Sequence, residues 1–325
     1  MDLEMLRERA KIIKLVRAFF DKKNYLELDT PLLSPDLIPE SCLEVFETMR
    51  IFPTGSRTES RQLWLIPSPE IFMKKIIAQH RVNVYQICKC FRNGESVGHL
   101  HNSEFTMLEY YTMNVNYMDS LALTENLFAY LAQELNVSSL LHPFERITVA
   151  QAFEKFAGFD LFAASVTPPA MEHEARRLGL DPPSGLTIQE LYDLIFIHSV
   201  EPNLKSEKPV ALLDYPAFVP CLAKKSTNGQ NHPPKTVERW ELYFRGIELA
   251  NCFSEETDPQ IVKEFFVREA KSKEKNALVQ HKVDHNYWKM FEQFPHCSGV
   301  AMGLERLIMI LTERSTIEGV LPFYL

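Results

Sequence analysis

Two apolar runs on either side of a polar loop constrain this chain more than any other feature. Val82–Phe91 and Phe105–Thr112 have strand length and strand residues, and the loop Arg92–Glu104 gives the chain room to reverse. They read as a buried strand and its antiparallel neighbour. Around them the period turns helical. Leu3, Leu6, Ile13, Val16 and Phe20 recur at helix spacing across 3–23, and 117–135 is a second amphipathic helix. Tyr25–Asp29 is extended up to Thr30-Pro31, and Leu63–Ile66 is a short strand. Ser68-Pro69-Glu70 opens a helix with a capping hydroxyl, a proline at the first helical position and an early acid. Strands resume over Arg239–Phe253, and a last strand and helix span 297–313. The sum is an α+β fold, an antiparallel sheet flanked by helices.

Eleven of the 20 prolines fall between Pro143 and Pro234. We therefore read about 136–237 as an insertion within a single domain, 1–325. Helices are expected near 148–156, 170–178 and 187–199, and Ser226–Lys235 as a mobile loop. A net charge of -8 argues against a broad basic face for nucleic acid. No run of about 18 apolar residues suggests a membrane span. MDLEMLRERAKIIK has no apolar core of a secretory signal, so the cytoplasm is expected. Six cysteines form no CxxC pair. Cys88 and Cys90 share a strand face, but no second pair completes a zinc site, so reduced thiols are the expectation.

Three constellations carry chemistry. Phe91-Arg92-Asn93 precedes His101-Asn102-Ser103-Glu104-Phe105-Thr106-Met107-Leu108-Glu109, and alternation puts Phe105, Met107, Glu109 and Tyr111 on one face. Acceptors and a ring beside an arginine suit a nucleotide and an amine; any one of them alone is better read as a strand edged by a surface ion pair. Glu241 and Glu248 flank Arg245-Gly246, a turn, and are followed by the alternating Asn251, Phe253 and Glu255. Paired carboxylates near a triphosphate suit Mg²⁺, and a solvated acidic edge has equal odds on spacing alone. Last, Ser298-Gly299-Val300-Ala301-Met302-Gly303-Leu304-Glu305-Arg306 allows close backbone approach and returns Arg306 toward a phosphate, although helix packing is the usual reason for such glycines.

In this order the three are more specific than any alone. FRN with HNSEFTMLE resembles the second signature motif of the class II aminoacyl-tRNA synthetases, and the glycine-rich element ending in Arg306 resembles the third. Leu26-Glu27-Leu28-Asp29-Thr30-Pro31 resembles the first, which in the family lies at a dimer interface. SPE at 68–70, EFTMLEYY at 104–111 and ELANCFSEETD at 248–258 resemble the lysine branch. Over nearly the whole chain, including VEPNLKSEKP at 200–209 and DYP at 214–216, the resemblance is closest to the free-standing lysine ligases that modify elongation factor P.

The resemblance implies an AMP-forming ligase using ATP and Mg²⁺. Arg92 would bind the α-phosphate and Arg306 the γ-phosphate. Phe105 would stack on adenine, with Asn93, His101, Asn102, Leu249 and Gly303 around the nucleotide. Glu241 and Glu248 occupy the magnesium positions. Glu70, Glu109, Tyr111, Asn251, Phe253 and Glu255 match the lysine-binding set. Ser68 and Ala301 stand where lysyl-tRNA synthetases have alanine and glycine, which points to (R)-β-lysine beside lysine. The chain begins at the first motif helix, so we expect no anticodon-reading barrel and no need for tRNA. A homodimer with elongation factor P as acceptor is implied. Two alternatives remain: an adenylating enzyme charging tRNA or another acceptor, and a degenerate, non-catalytic paralogue with a regulatory role. Gly94, His99 and Cys252 depart from the family pattern, and Glu95 is the candidate to replace the glutamate missing at 94.

Overall fold

The computed structural model describes residues 2–54, 57–94, 98–137, 143–226 and 235–324. In chain order it contains α1 (Leu3–Lys22), β1 (Leu26–Glu27), β2 (Leu33–Ser34), β3 (Glu47–Thr54), β4 (Arg57–Leu65), α2 (Glu70–His80), β5 (Val84–Phe91) and β6 (Glu104–Met113). Next come α3 (Tyr117–Leu135), β7 (Glu145–Thr148), α4 (Val149–Ala157), α5 (Leu161–Ala164), α6 (Pro168–Arg177), α7 (Ile188–Ile195), β8 (Val210–Leu213), β9 (Arg239–Phe244) and β10 (Ile247–Ser254). The chain ends with α8 (Pro259–Asn276), β11 (Cys297–Gly303) and α9 (Leu304–Leu311). Two compact units result, Met1–Val115 with Glu256–Leu325, and Asn116–Glu255.

In the first unit the strands run β1-β5-β6-β11, with β5, β6 and β11 antiparallel and β1 parallel to β5. The expected pairing of 82–91 with 105–112 is therefore present. Period-2 alternation divides this sheet. Tyr85 and Tyr110 point to one side, where Phe20 of α1 lies 4.8 and 4.9 Å from their ring centres. Gln86, Met107, Glu109 and Tyr111 belong to the other side. The buried stripe of α1 is Met5, Ile12, Val16, Phe19 and Phe20, while Leu3 is exposed. Val16 and Phe20 of the expected stripe are buried, while Met5, Ile12 and Phe19 complete it in place of Leu3, Leu6 and Ile13.

A second sheet, β2-β4-β3, extends the short strand expected at 63–66 into a hairpin. Its partner β3 escaped prediction because Met49 and Ile51 are exposed, so β3 lacks an inward apolar row. Helix α8 was also unanticipated. Asp258 caps it by accepting from the Gln260 and Ile261 amides. It buries Val262, Phe265 and Phe266, but also Glu269 and Lys273, which blur the apolar pattern.

In the second unit the order is β10-β9-β8-β7, antiparallel except for the parallel β7–β8 pair. Asn116 and Asp119 form a capping box at the start of α3. The proline-rich segment builds a separate core of Val149, Phe153, Leu161, Met171, Leu191 and Tyr192. It also supplies β7 and β8, strands that its proline content hid. The helix expected over 187–199 changes to π-helical after Ile195, through Phe196–Val200. Of the loop Ser226–Lys235, residues 227–234 lie outside the described residues, as does Glu95. Among the described residues no helix is long and apolar enough to cross a membrane.

Candidate active site

On the first unit's polar sheet face, Glu109 is 3% exposed and held from two sides. Ser68 Oγ donates to its Oε2 at 2.6 Å and Tyr111 Oη to its Oε1 at 2.7 Å. Ser68 Oγ also accepts from the Glu70 amide at 3.0 Å, while the N-cap is Pro69, so the helix starts one residue later than expected. Directly opposite Glu109 on β11 is Ala301, with Gly299 opposite Tyr111 and Gly303 opposite Met107. Glu70 is bonded to the fully buried Lys74 one turn on, at 2.5 Å. Burial, and then the neighbouring Glu70 carboxylate, push Glu109 up to about 7. The same two causes push Glu40 up to about 7.

The Glu40 loop is pinned by the buried charges of α8. Glu269 accepts from the Ser41 amide and hydroxyl at 3.2 and 2.7 Å. Lys273 Nζ donates to the Glu40 carbonyl at 3.0 Å and to that of Leu43. Asn93 joins this loop too, its amide donating to the Glu44 carbonyl at 3.0 Å and its Nδ2 to that of Val45 at 3.3 Å.

The phosphate candidates lie in the same unit. The Arg92 guanidinium sits 5.2 Å from the Phe105 ring centre. Arg306 Nη2 lies 2.9 Å from His101 Nε2. Arginine can only donate, so this ring nitrogen is the acceptor and carries no proton. Arg306 Nε also donates to the Leu100 carbonyl at 3.3 Å. Asn102 is buried, with Nδ2 donating to the Glu104 carbonyl at 2.8 Å and Oδ1 bonded to none of the described residues. A Cβ at Gly303 would lie 3.8 Å from Arg306 Cδ, an ordinary contact, so crowding is not what requires glycine there. Gly94 has φ +69, which accounts for glycine in that position. His99 is exposed.

In the second unit Arg245 and Gly246 form the expected hairpin turn, with φ 51 and 78. A β-bulge between Glu248 and Ala250 then shifts the register. Glu248 lies opposite Tyr243, Asn251 opposite Glu241, and Phe253 opposite Arg239, so all six share one face. Leu249 and Glu255 are buried. Cys252 is buried opposite Trp240, on the other face from Asn251. None of the six cysteines is in a disulfide.

Residues 3–324 match the family model described as tRNA synthetases class II (D, K and N). The chain belongs to this family. It is 34% identical over 322 residues to the elongation factor P--(R)-beta-lysine ligase of Histophilus somni strain 2336, covering 99% of this chain and 95% of the relative. A ligase of the same name from Actinobacillus succinogenes is 35% identical over 327 residues, again 99% and 95%. The lysine--tRNA ligase of Carboxydothermus hydrogenoformans is 32% identical over 326 residues, 97% of this chain and 64% of that protein.

Within this class II framework, Glu241 fits a metal poorly. Its Oε1 accepts from Arg239 at 2.6 Å, and its Oε2 from Tyr243 at 2.8 Å and from Tyr215. Among the described residues no cluster of three His, Cys, Asp or Glu is arranged to hold an ion. Three residues of these faces were missed in the sequence. Lys74, four after Glu70 on one helix, and Arg239, two before Glu241 on one strand, were both signalled by spacing. Glu40 had no such signal, because a tether to α8 places its loop.

Proposed function

We propose that this chain activates lysine or (R)-β-lysine with ATP and transfers the acyl group to a lysine side chain of elongation factor P. The observation that carries the reading is the buried Glu109, bonded by Ser68 and Tyr111 and faced by Ala301, in a chain related along its length to ligases of that name. Carboxylates that bury suit a substrate with two ammonium groups, because each charge-assisted bond offsets desolvation. An uncharged side chain would leave them unpaired and be rejected.

In this reading the amino-acid carboxylate, already ionised, attacks the α-phosphorus and pyrophosphate leaves. The acceptor amine then attacks the acyl carbon of the adenylate, losing its proton as the amide forms and AMP departs. Arg92 offsets charge at the α-phosphate and Arg306 at the γ-phosphate. Phe105 stacks on adenine; the other residues we propose for the nucleotide are Asn93, His101, Asn102 and Gly303 in the first unit and Leu249 in the second. The residues we propose for the amino acid are Ser68, Glu70, Glu109, Tyr111 and Ala301 in the first unit, and Asn251, Phe253 and Glu255 in the second. ATP would enter with Mg²⁺ on its phosphate oxygens, Glu248 being the protein carboxylate offered to the ion. We further propose that 1–325 works as one catalytic domain, as a cytoplasmic homodimer through 26–31, without tRNA.

Amino-acid-dependent ATP–pyrophosphate exchange with lysine and (R)-β-lysine tests the activation step. Mass spectrometry of elongation factor P tests the transfer. Exchange with neither amino acid, or exchange without a mass increase on the factor, defeats the corresponding half. The lysine--tRNA ligase relative favours a second reading, transfer to tRNA, which an aminoacylation assay separates.

A further inference from the structure

The amino-acid-activating reading has no use for Arg239, yet this side chain organises one face of the second unit. It stands two residues before Glu241 on β9, and the bulge at Leu249 sets Asn251 opposite Glu241. Its side chain is 14% exposed, and that of Glu241 is 12% exposed. Nε–H donates to Asn251 Oδ1 at 3.0 Å, and Nη2–H to Glu241 Oε1 at 2.6 Å. The guanidinium carbon lies 4.3 Å from the centre of the Tyr215 ring. The hydroxyls of Tyr215 and Tyr243 both donate to Glu241 Oε2.

A guanidinium has five N–H donors and no acceptor. The Asn251 atom facing Nε must therefore be oxygen, which decides an otherwise ambiguous carboxamide orientation. With its oxygen held by Arg239, Asn251 keeps its two N–H donors, and these suit a carboxylate. Glu241 is matched in charge by Arg239 and holds a donor on each oxygen. These three bonds leave one lone pair, on Oε1, and a divalent cation bound there would sit beside the Arg239 guanidinium, which repels it.

We propose that Arg239 and Glu241 are a positioning pair that presents Asn251 as a donor to the substrate carboxylate, and that Glu241 is not a magnesium ligand. The role assigned to Asn251 rests on the activating function above; the exclusion of Glu241 from the metal does not.

The test compares R239Q, R239K, E241Q and the R239Q/E241Q double variant with wild type, each checked for folding by thermal melting. Magnesium titrations of ATP binding by calorimetry are run beside ATP–pyrophosphate exchange. We expect the magnesium midpoint of E241Q to stay within about twofold of wild type, and R239Q to raise the amino-acid KM about tenfold with less change in kcat. The double variant should be no worse than R239Q, and R239K should recover part of the loss. A midpoint moved tenfold or more in E241Q with the amino-acid KM unchanged overturns the proposal. So does an R239Q whose KM matches wild type. Should wild type show no exchange with either amino acid, the functional reading and the Asn251 role fail together, while the calorimetric arm still decides the role of Glu241.

Discussion

Ala301 on β11 lies directly opposite Glu109 on β6, on the same face of an antiparallel pair. Side chains so placed stand about 5 Å apart at Cβ, so one methyl changes the space beside the carboxylate that we assign to a substrate ammonium. A301G should shift the ratio of kcat/KM for lysine over (R)-β-lysine toward lysine by about tenfold, the scale of one methyl in a pocket. Exchange kinetics with both amino acids measure it, and an unchanged ratio would remove Ala301 from the selectivity argument.

Glu109 and Glu40 are both pushed up to about 7, so each is largely protonated at pH 6. A diammonium substrate is best held by an ionised Glu109 and must displace its proton. The amino-acid KM should therefore rise as pH falls below 7, by up to about tenfold per unit. E109Q should bind weakly at every pH and show a flatter profile. A wild-type KM independent of pH between about 6 and 8 would contradict this assignment.

The same shifts bear on stability without substrate. Both carboxyls have folded values above the ordinary 4.5, so their contribution is fully present below that value and lost as pH rises through about 7. On their account the melting temperature should fall across this window, and E109Q, neutral throughout, should show a shallower fall. Melting curves at matched ionic strength provide the comparison, and equal slopes would argue against the shift at Glu109.

Lys273, 4% exposed, donates to two carbonyls of the 40–43 loop. K273M keeps much of the volume and removes the donor, leaving those oxygens with a lost partner. We expect a cost of about 1–3 kcal/mol in urea unfolding. Substitution of the exposed Lys271 on the same helix should stay within about 0.5 kcal/mol.

What sequence made legible was what local chemistry controls. Alternation placed Phe105, Met107, Glu109 and Tyr111 together, because the side-chain period of a strand leaves no other choice. Arg245-Gly246 was readable as a turn, since a glycine there relieves a positive φ. Gly94 looked like a departure from the family pattern until its φ of +69 supplied a reason.

Tertiary structure decided the rest. Asn251 is three residues from Glu248, an odd spacing that simple alternation would send to the opposite face. The bulge at Leu249 reverses that, aligning Glu248, Asn251 and Phe253 with Glu241 and Arg239. Helix α8 hid behind two charges that belong inside only because the 40–43 loop meets them there. The sequence by itself therefore determined the family, the main strands and the residues of the three motifs, all set by short-range periodicity and residue type. Only the folded chain decided which carboxylates are withdrawn from water and which oxygen of Glu241 faces which donor, because those depend on partners brought together from distant positions.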